Sequence, residues 1–387
     1  MKVAGIIAEF NPFHNGHKYL LDCAKSNSDL VVCVISSNFV QRGEPSIISK
    51  FERAKIAVSC GADICIELPT PWSMSTAQNF AFGAISQLIK FNIDALYFGS
   101  ESADLQGLMK VADALQSKEF NEKIKNNLND NLTYAKLRQN ALNEMLGETA
   151  NILDGQNDTL AVEYISAAKK FNKILQFVPV KRQGANHNDS TESNGFSTST
   201  LIRNAIIENR LEGLKKYIPE AAYEILEYSN FANIEKLNLA IMAKLKTMKY
   251  DEFLHLPDIS EGIENRLYSS IKSSVDYNDL CDKVKTKRYT MARIRRLVLS
   301  AFLGIDNSFF LKKIPYTRVL ASNEQGLKYI SKIKTDNIVL QVSEINKLDD
   351  FSKKIFDLEC KISDVYNLTL EKAENSGSDY TQGLIKK

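Results

Sequence analysis

The chain has 387 residues, 44% of them hydrophobic and 25% charged, which excludes disorder as its main state and leaves room for two or three domains. With 17 glycines and 8 prolines it is neither collagen-like nor a linker. Lysine and arginine number 49 against 47 acidic residues, a net charge of +2, so any RNA contact has to come from a local basic patch rather than from the molecule as a whole.

Met1 to Glu9 carries one positive charge and then an acid, and reads as a first β-strand rather than a signal peptide. Residues 2–8, 29–36, 63–67 and 94–98 are short apolar runs, with helical patterns between them at about 17–26, 49–60 and 77–91. Another apolar run, 174–180, follows a helical insertion over 102–172. Strands alternating with helices imply βαβ units, and near-continuous apolar strands imply a sheet covered on both faces. The expected fold is α/β: a Rossmann-like, doubly wound parallel sheet over residues 1–210, followed by a mainly helical region over 211–387. Residues 316–323 and 337–342 are candidate returns to β structure, and the polar tail 374–379 is expected to be mobile. No run approaches the roughly 18 apolar residues of a membrane helix, so no membrane partner is expected.

The six cysteines, Cys23, Cys33, Cys60, Cys65, Cys281 and Cys360, form no CxxC pair and read as reduced thiols of a cytoplasmic protein. Cys60 and Cys65 have no second ligand pair nearby, and no metal site is expected.

Ligands of such sheets bind beyond the carboxyl ends of the strands. The segments there are 10–17, 36–45, 67–75, 98–102 and 181–199. Neither GxGxxG nor GxxxxGK[ST] occurs, which excludes a dinucleotide fingerprint and a P-loop. The first strand runs instead into Glu9-Phe10-Asn11-Pro12-Phe13-His14-Asn15-Gly16-His17, which holds two of the four histidines. A helix start offers unpaired N–H groups and partial positive charge, which suits a phosphate chain. Gly16 lets backbone approach a ligand. His14 and His17 can donate to phosphate oxygens as charge builds in the transition state. Two surface or capping histidines, or a metal pair, are the alternative. A second constellation, Ser197-Thr198-Ser199-Thr200-Leu201-Ile202-Arg203, offers capping hydroxyls with Arg203 one turn on.

His14-Asn15-Gly16-His17 with Ser199-Thr200-Leu201-Ile202-Arg203 resembles the HxGH and STxxR signatures of the nucleotidyltransferase superfamily, relatives of class I aminoacyl-tRNA synthetases. Residues 9–17, 37–45 and 62–69, and Lys287-Arg288-Tyr289-Thr290 with Arg293, Arg295 and Arg296, resemble the bacterial tRNA(Met) cytidine acetate ligase family. That resemblance implies activation of acetate by ATP to acetyl-adenylate, pyrophosphate release, and acetylation of the wobble cytidine amine of elongator tRNA(Met), giving N4-acetylcytidine. It implies His14, His17 and Arg203 as catalytic residues. It places ATP against Ile7, Ala8, Glu9, Phe10, Asn11, Pro12, Phe13, His14, Asn15, Gly16, His17 and Leu20, and against Gly99, Asn157, Arg182, Ser199 and Thr200. Mg2+ is expected with ATP. Around Asn157 the segment Gly155-Gln156-Asn157-Asp158-Thr159-Leu160-Ala161 departs from the family's Pro-Asn-Asn-x-Leu-Gly pattern.

Residues 283–296 hold seven basic residues and no acid. Lys285, Lys287, Arg288, Arg293, Arg295 and Arg296 are the RNA-binding candidates, with Tyr289, Arg293 and Arg296 expected on one helical face; a solvated basic helix is the plain alternative. Arg42 and Glu44 read either as ligand contacts or as a surface ion pair. Glu67 reads as structural, Trp72 and Phe80 as core or pocket wall, and His187 as a surface histidine. A small-molecule nucleotidyltransferase acting on a phosphorylated acceptor is the competing function, and a non-catalytic RNA-binding protein is a third. The residues leave the number of subunits open.

Overall fold

A computed structural model describes residues 1–126, 134–183, 195–333 and 337–387. His187 lies outside the described residues. The strands in chain order are β1 Val3–Ala8, β2 Leu30–Ser36, β3 Phe39–Val40, β4 Glu44–Pro45, β5 Ile64–Leu68, β6 Ala95–Ser100, β7 Gln176–Lys181, β8 Thr317–Ser322, β9 Ile338–Val339 and β10 Ile385–Lys386. The main sheet runs β10-β8-β5-β2-β1-β6-β7, with β9 beside β8, while β3 and β4 form a separate hairpin. β1 pairs in parallel with β2 and β6, so Ile6 stands between Cys33 and Tyr97.

Side chains along a strand alternate between its two faces, and here both faces are apolar. Val3 and Ile7 of β1 and Leu30, Val32 and Val34 of β2 join one core. Ala4 and Ile6, with Val31, Cys33 and Ile35, join the other. The helices Asn15–Ser26, Lys50–Ser59 and Ser199–Ile207 cover the second face with Leu21, Ala57 and Ile202. The helices Ala77–Leu88 and Gln156–Lys170 cover the first with Ile85 and Ile165. Ser49 begins its helix in a capping box with Glu52, and Thr76 caps the next.

The doubly wound sheet expected from the alternation is present. Its composition extends past residue 210: β8 adds to β5 in antiparallel sense, and β10 pairs with β8. The expected division at residue 210 therefore runs across the sheet. All of β8 is buried, because the apolar edge of β5 needs a partner. Of the stretch 337–342 only Ile338–Val339 is strand, and a short 3-10 helix, Val342–Lys347, follows.

The tail expected to be mobile is anchored at its end instead. Asp379 is 1% exposed and pairs with Lys50 at 2.8 Å and with Arg318. Lys50 also meets Glu67 at 2.6 Å. Glu359 accepts from the Ser37 hydroxyl at 2.7 Å and from Thr70. Buried cations need counter-charge, and Lys50 and Arg318 receive it from Glu67 and from the far end of the chain. Burial and the neighbouring Glu67 push the Glu359 carboxyl up to about 8.

Candidate active site

The turn after β1 is held from beneath by a buried arginine. Arg53 donates to the carbonyls of Glu9 and Ser36 at 2.8 Å and of Ser37 at 2.7 Å, fastening the carboxyl ends of β1 and β2 together. Phe10 turns the chain with φ of 49°. Asn11 Oδ1 accepts the Ile47 N–H at 2.7 Å.

His14 is the N-cap of the first helix. Its Nδ1 accepts the Gly16 N–H at 3.0 Å, and its Nε2 lies 3.1 Å from Ser199 Oγ. His17 Nδ1 accepts the His14 N–H at 3.3 Å. The two rings stack with centroids 3.8 Å apart. A neutral imidazole has one donor and one acceptor nitrogen. Both acceptors are taken by backbone N–H groups, so each ring carries its proton on Nε2: that of His14 faces the Ser199 hydroxyl, and that of His17 is left to offer. Burial, with Arg182 and Arg203, lowers the His14 pKa from 6.5 to about 3. Burial, His14 and Arg182 hold His17 well below its ordinary value. The capping role and a donor role toward phosphate thus coexist in one turn.

This turn borders a cavity of about 770 Å³ at the carboxyl ends of β1, β6 and β7. Ile7, Ala8, Glu9, Phe10, Asn11, His14, Gly16, His17, Leu20, Gly99, Asn157, Arg182 and Ser199 line it. Four expected ATP contacts stand behind the wall. Phe13 is core, with its ring 5.7 Å from that of His17. Pro12 is buried beside it. Asn15 donates to the carbonyls of Gly195 and Lys216, both at 2.9 Å. Thr200 accepts from Arg203 at 3.4 Å. Arg203 also stands behind the turn, donating to the Asn11 carbonyl at 2.9 Å and pairing with Glu44 at 3.4 Å.

Around Asn157, the start of the helix is held by Glu101. The helix Gln156–Lys170 has no side-chain N-cap of its own. Glu101 accepts the Asp158 N–H at 2.9 Å and the Asn157 side-chain amide at 2.6 Å. Asp158 in turn accepts the Ser102 N–H at 2.9 Å. A Cβ at Gly155 would lie 2.8 Å from Glu101 Oε2, so a side chain there would displace that carboxylate.

The basic helix Met291–Leu303, capped by Thr290, closes another side. Thr290, Ala292, Arg295 and Arg296 line the same cavity. Arg296 donates to the Gln41 carbonyl at 3.1 Å and pairs with Asp258 at 3.3 Å. Arg293 pairs with Glu261 at 2.9 Å and Asp258 at 3.5 Å. Lys285 donates to the Tyr289 carbonyl at 2.8 Å, while Lys287 and Arg288 are exposed. Tyr289 precedes the helix and is buried, donating to the Glu261 carbonyl at 2.6 Å, with the Arg293 guanidinium over its ring at 5.7 Å; Arg293 and Arg296 share Asp258, so the three come together around an acidic partner rather than as an exposed helical face. Glu44 stands between Arg203 and Arg295, 3.6 Å from the latter.

The model of the HIGH Nucleotidyl Transferase family matches residues 1–381. A tRNA(Met) cytidine acetate ligase of Thermoanaerobacter sp. (strain X514) is 35% identical over 404 aligned residues, covering 100% of both chains. One of Thermosipho africanus (strain TCF52B) is 36% identical, over 90% of this chain and 86% of the relative. The chain belongs to the tRNA(Met) cytidine acetate ligases, within the HIGH nucleotidyltransferases. Two crystal structures of Thermotoga maritima TmcAL superpose over 100% of both chains. The apo form has a TM-score of 0.93 at 32% identity, and the form bound with alpha-thio ATP has 0.92 at 31%.

Membership of these ligases places the donor-bearing turn in a nucleotide-handling fold. Sequence reasoning missed Arg53 and Glu101. A lone arginine inside an amphipathic helix carries no local signal, whereas Glu101, just past the carboxyl end of β6, stood in a searched segment. Among the described residues no group of three His, Cys, Asp or Glu side chains could hold a metal ion.

Proposed function

We propose that this chain activates acetate with ATP and then acetylates the N4 amine of the wobble cytidine in elongator tRNA(Met). The observation that carries the reading is the stacked, neutral His14–His17 pair, with the His17 Nε2–H left to donate and the His14 Nε2–H resting on the Ser199 hydroxyl, on a cavity that the basic helix also lines. In the first step an acetate oxygen attacks the α-phosphorus and pyrophosphate leaves. Two anions must meet, so fixed donors and positive charge serve better than a base. His14 and His17 supply donors to the phosphates. Arg182 lines the cavity, and Arg203 adds positive potential from behind Asn11. Gly99 and Asn157 border the nucleoside side. Phe80, Phe98 and Tyr164 give an apolar wall for the acetate methyl.

In the second step the cytidine amine attacks the acetyl carbon and AMP leaves. An anticodon loop presents that base nearly unstacked. Arg295 and Arg296 line the reaction cavity, while Lys287 and Arg288 lie exposed on the segment before the helix, where they can meet RNA phosphates in a salt-sensitive way. Residues 1–210 carry the chemistry and 211–387 the tRNA contacts, although β8 and β10 of the second part belong to the sheet. Mg2+ arrives with the nucleotide. A tRNA substrate places the protein in the cytoplasm. The test is acetate-dependent exchange of labelled pyrophosphate into ATP, with mass analysis of elongator tRNA(Met) after incubation with ATP and acetate. Exchange driven only by a phosphorylated small molecule would replace this reading with a small-molecule nucleotidyltransferase.

A further inference from the structure

We propose that Glu9 is the proton acceptor of the second step, taking the proton that the cytidine N4 amine releases as it attacks the acetyl carbon. The inference rests on the function proposed above. A cytosine amine is a weak nucleophile, and a positioned base is worth roughly 10²–10⁴-fold in such a step. Among the described residues two carboxylates line the cavity, Glu9 and Asp154. Asp154 is exposed, next to Asn157 at the nucleoside side. Glu9 directly follows the last residue of β1, between the imidazole turn and the Gln41–Arg42 segment.

The geometry holds Glu9 in place. Arg53 donates to its carbonyl at 2.8 Å, and its Oε1 accepts the Gln41 N–H at 2.9 Å. Its Oε2 has no hydrogen-bond partner among the described residues. The imidazoles cannot serve instead, because both of their acceptor nitrogens are already bonded to backbone N–H groups. Burial raises the Glu9 carboxyl above the ordinary 4.5, while Arg42 and the Gln41 N–H pull it back. The group thus becomes a stronger base than an exposed glutamate and remains able to ionise. The neighbouring Tyr164 phenol is itself pushed up by burial and by Glu9, so it stays neutral.

The step balances. The N4 lone pair forms the C–N bond, the bond between the acetyl carbon and the AMP oxygen breaks with its electrons on AMP, and the N4 proton passes to Glu9 Oε2.

The experiment separates the two half-reactions. Enzyme is incubated with ATP, acetate and pyrophosphatase. One sample is trapped with hydroxylamine to count acetyl-adenylate as acetohydroxamate. Another is mixed with unmodified elongator tRNA(Met) in a single turnover, and N4-acetylcytidine is measured. Glu9→Gln keeps an oxygen for the Gln41 N–H, and its melting temperature is recorded beside the wild type. The expected result is a fall in transfer at least about tenfold larger than whatever fall the variant causes in acetohydroxamate. Glu9→Asp should recover part of the transfer, and the acidic limb of the wild-type transfer profile should vanish in Glu9→Gln. Equal losses in both assays, or transfer by Glu9→Gln within about threefold of wild type, would overturn the proposal. A wild-type chain that makes no acetohydroxamate from acetate would overturn the proposed function, and the role of Glu9 with it.

Discussion

Acidification from pH 7.5 to 5 probes the histidine turn through stability. In the folded chain His14 titrates at about 3, because burial and the nearby Arg182 and Arg203 disfavour its charged form. In the unfolded chain it titrates near 6.5. Below 6.5 the unfolded state binds more protons, so unfolding becomes easier as pH falls. Each unit below 6.5 costs about 1.4 kcal/mol, which gives about 2 kcal/mol for this one ring at pH 5 and almost nothing at pH 7.5. His14→Asn isolates the effect: asparagine is a good N-cap and can still accept the Gly16 N–H, but it does not titrate. Equilibrium urea unfolding of both proteins at both pH values is the assay. Wild type should lose about 2 kcal/mol more than the variant between pH 7.5 and 5. Carboxylates contribute to both proteins and largely cancel, and His17, held low chiefly by burial, keeps most of its contribution in the variant. If the two proteins lost equal stability, His14 would not be held neutral in the folded state, and the donor assignment of the turn would be wrong.

His17→Ala removes the second ring donor. Acetate-dependent pyrophosphate exchange should fall by about 10²–10³-fold, and near wild-type exchange would remove His17 from the phosphate site. Gly43 has φ of 72°, and a Cβ there would lie 2.6 Å from the backbone nitrogen of Arg296. Gly43→Ala should cost about 1–2 kcal/mol for the left-handed backbone and about 1–3 kcal/mol more for overpacking against the basic helix; chemical denaturation reads the sum, and a loss below about 0.5 kcal/mol would mean the helix docks elsewhere. Asp379→Ala strips Lys50 and Arg318 of a buried partner, and urea unfolding should register a loss of about 3–5 kcal/mol. An unchanged midpoint would show the tail to be free in solution.

The strands β1, β2, β5 and β6 were legible because each is a short apolar run bounded by turns, and a strand buried on both faces leaves that mark in the residues themselves. The His14–His17 turn was legible because the helix start, the glycine and the histidines are neighbours in the chain. The antiparallel β8 appeared only as an apolar stretch at 316–323. Nothing local shows that it continues a sheet begun some 250 residues earlier. The tail 374–379 looked mobile because its polar residues have no partners nearby in sequence; the buried partners of Asp379, at its end, are Lys50 and Arg318. The basic segment read as a separate RNA-binding face, yet Gly43 lets its helix pack against the β3–β4 hairpin, so that Arg295 and Arg296 line the reaction cavity.

The amino-acid sequence by itself determined the strands of the first half, their apolar faces and the chemistry of the turn after β1, since these depend on residues within about one helical turn or one strand of each other. Tertiary structure alone decided which nitrogens of His14 and His17 remain donors, where Arg203 and Glu101 spend their hydrogen bonds, and which buried charges meet. Those outcomes depend on groups far apart in the chain, brought together by the apolar surfaces that bury one another in the folded state.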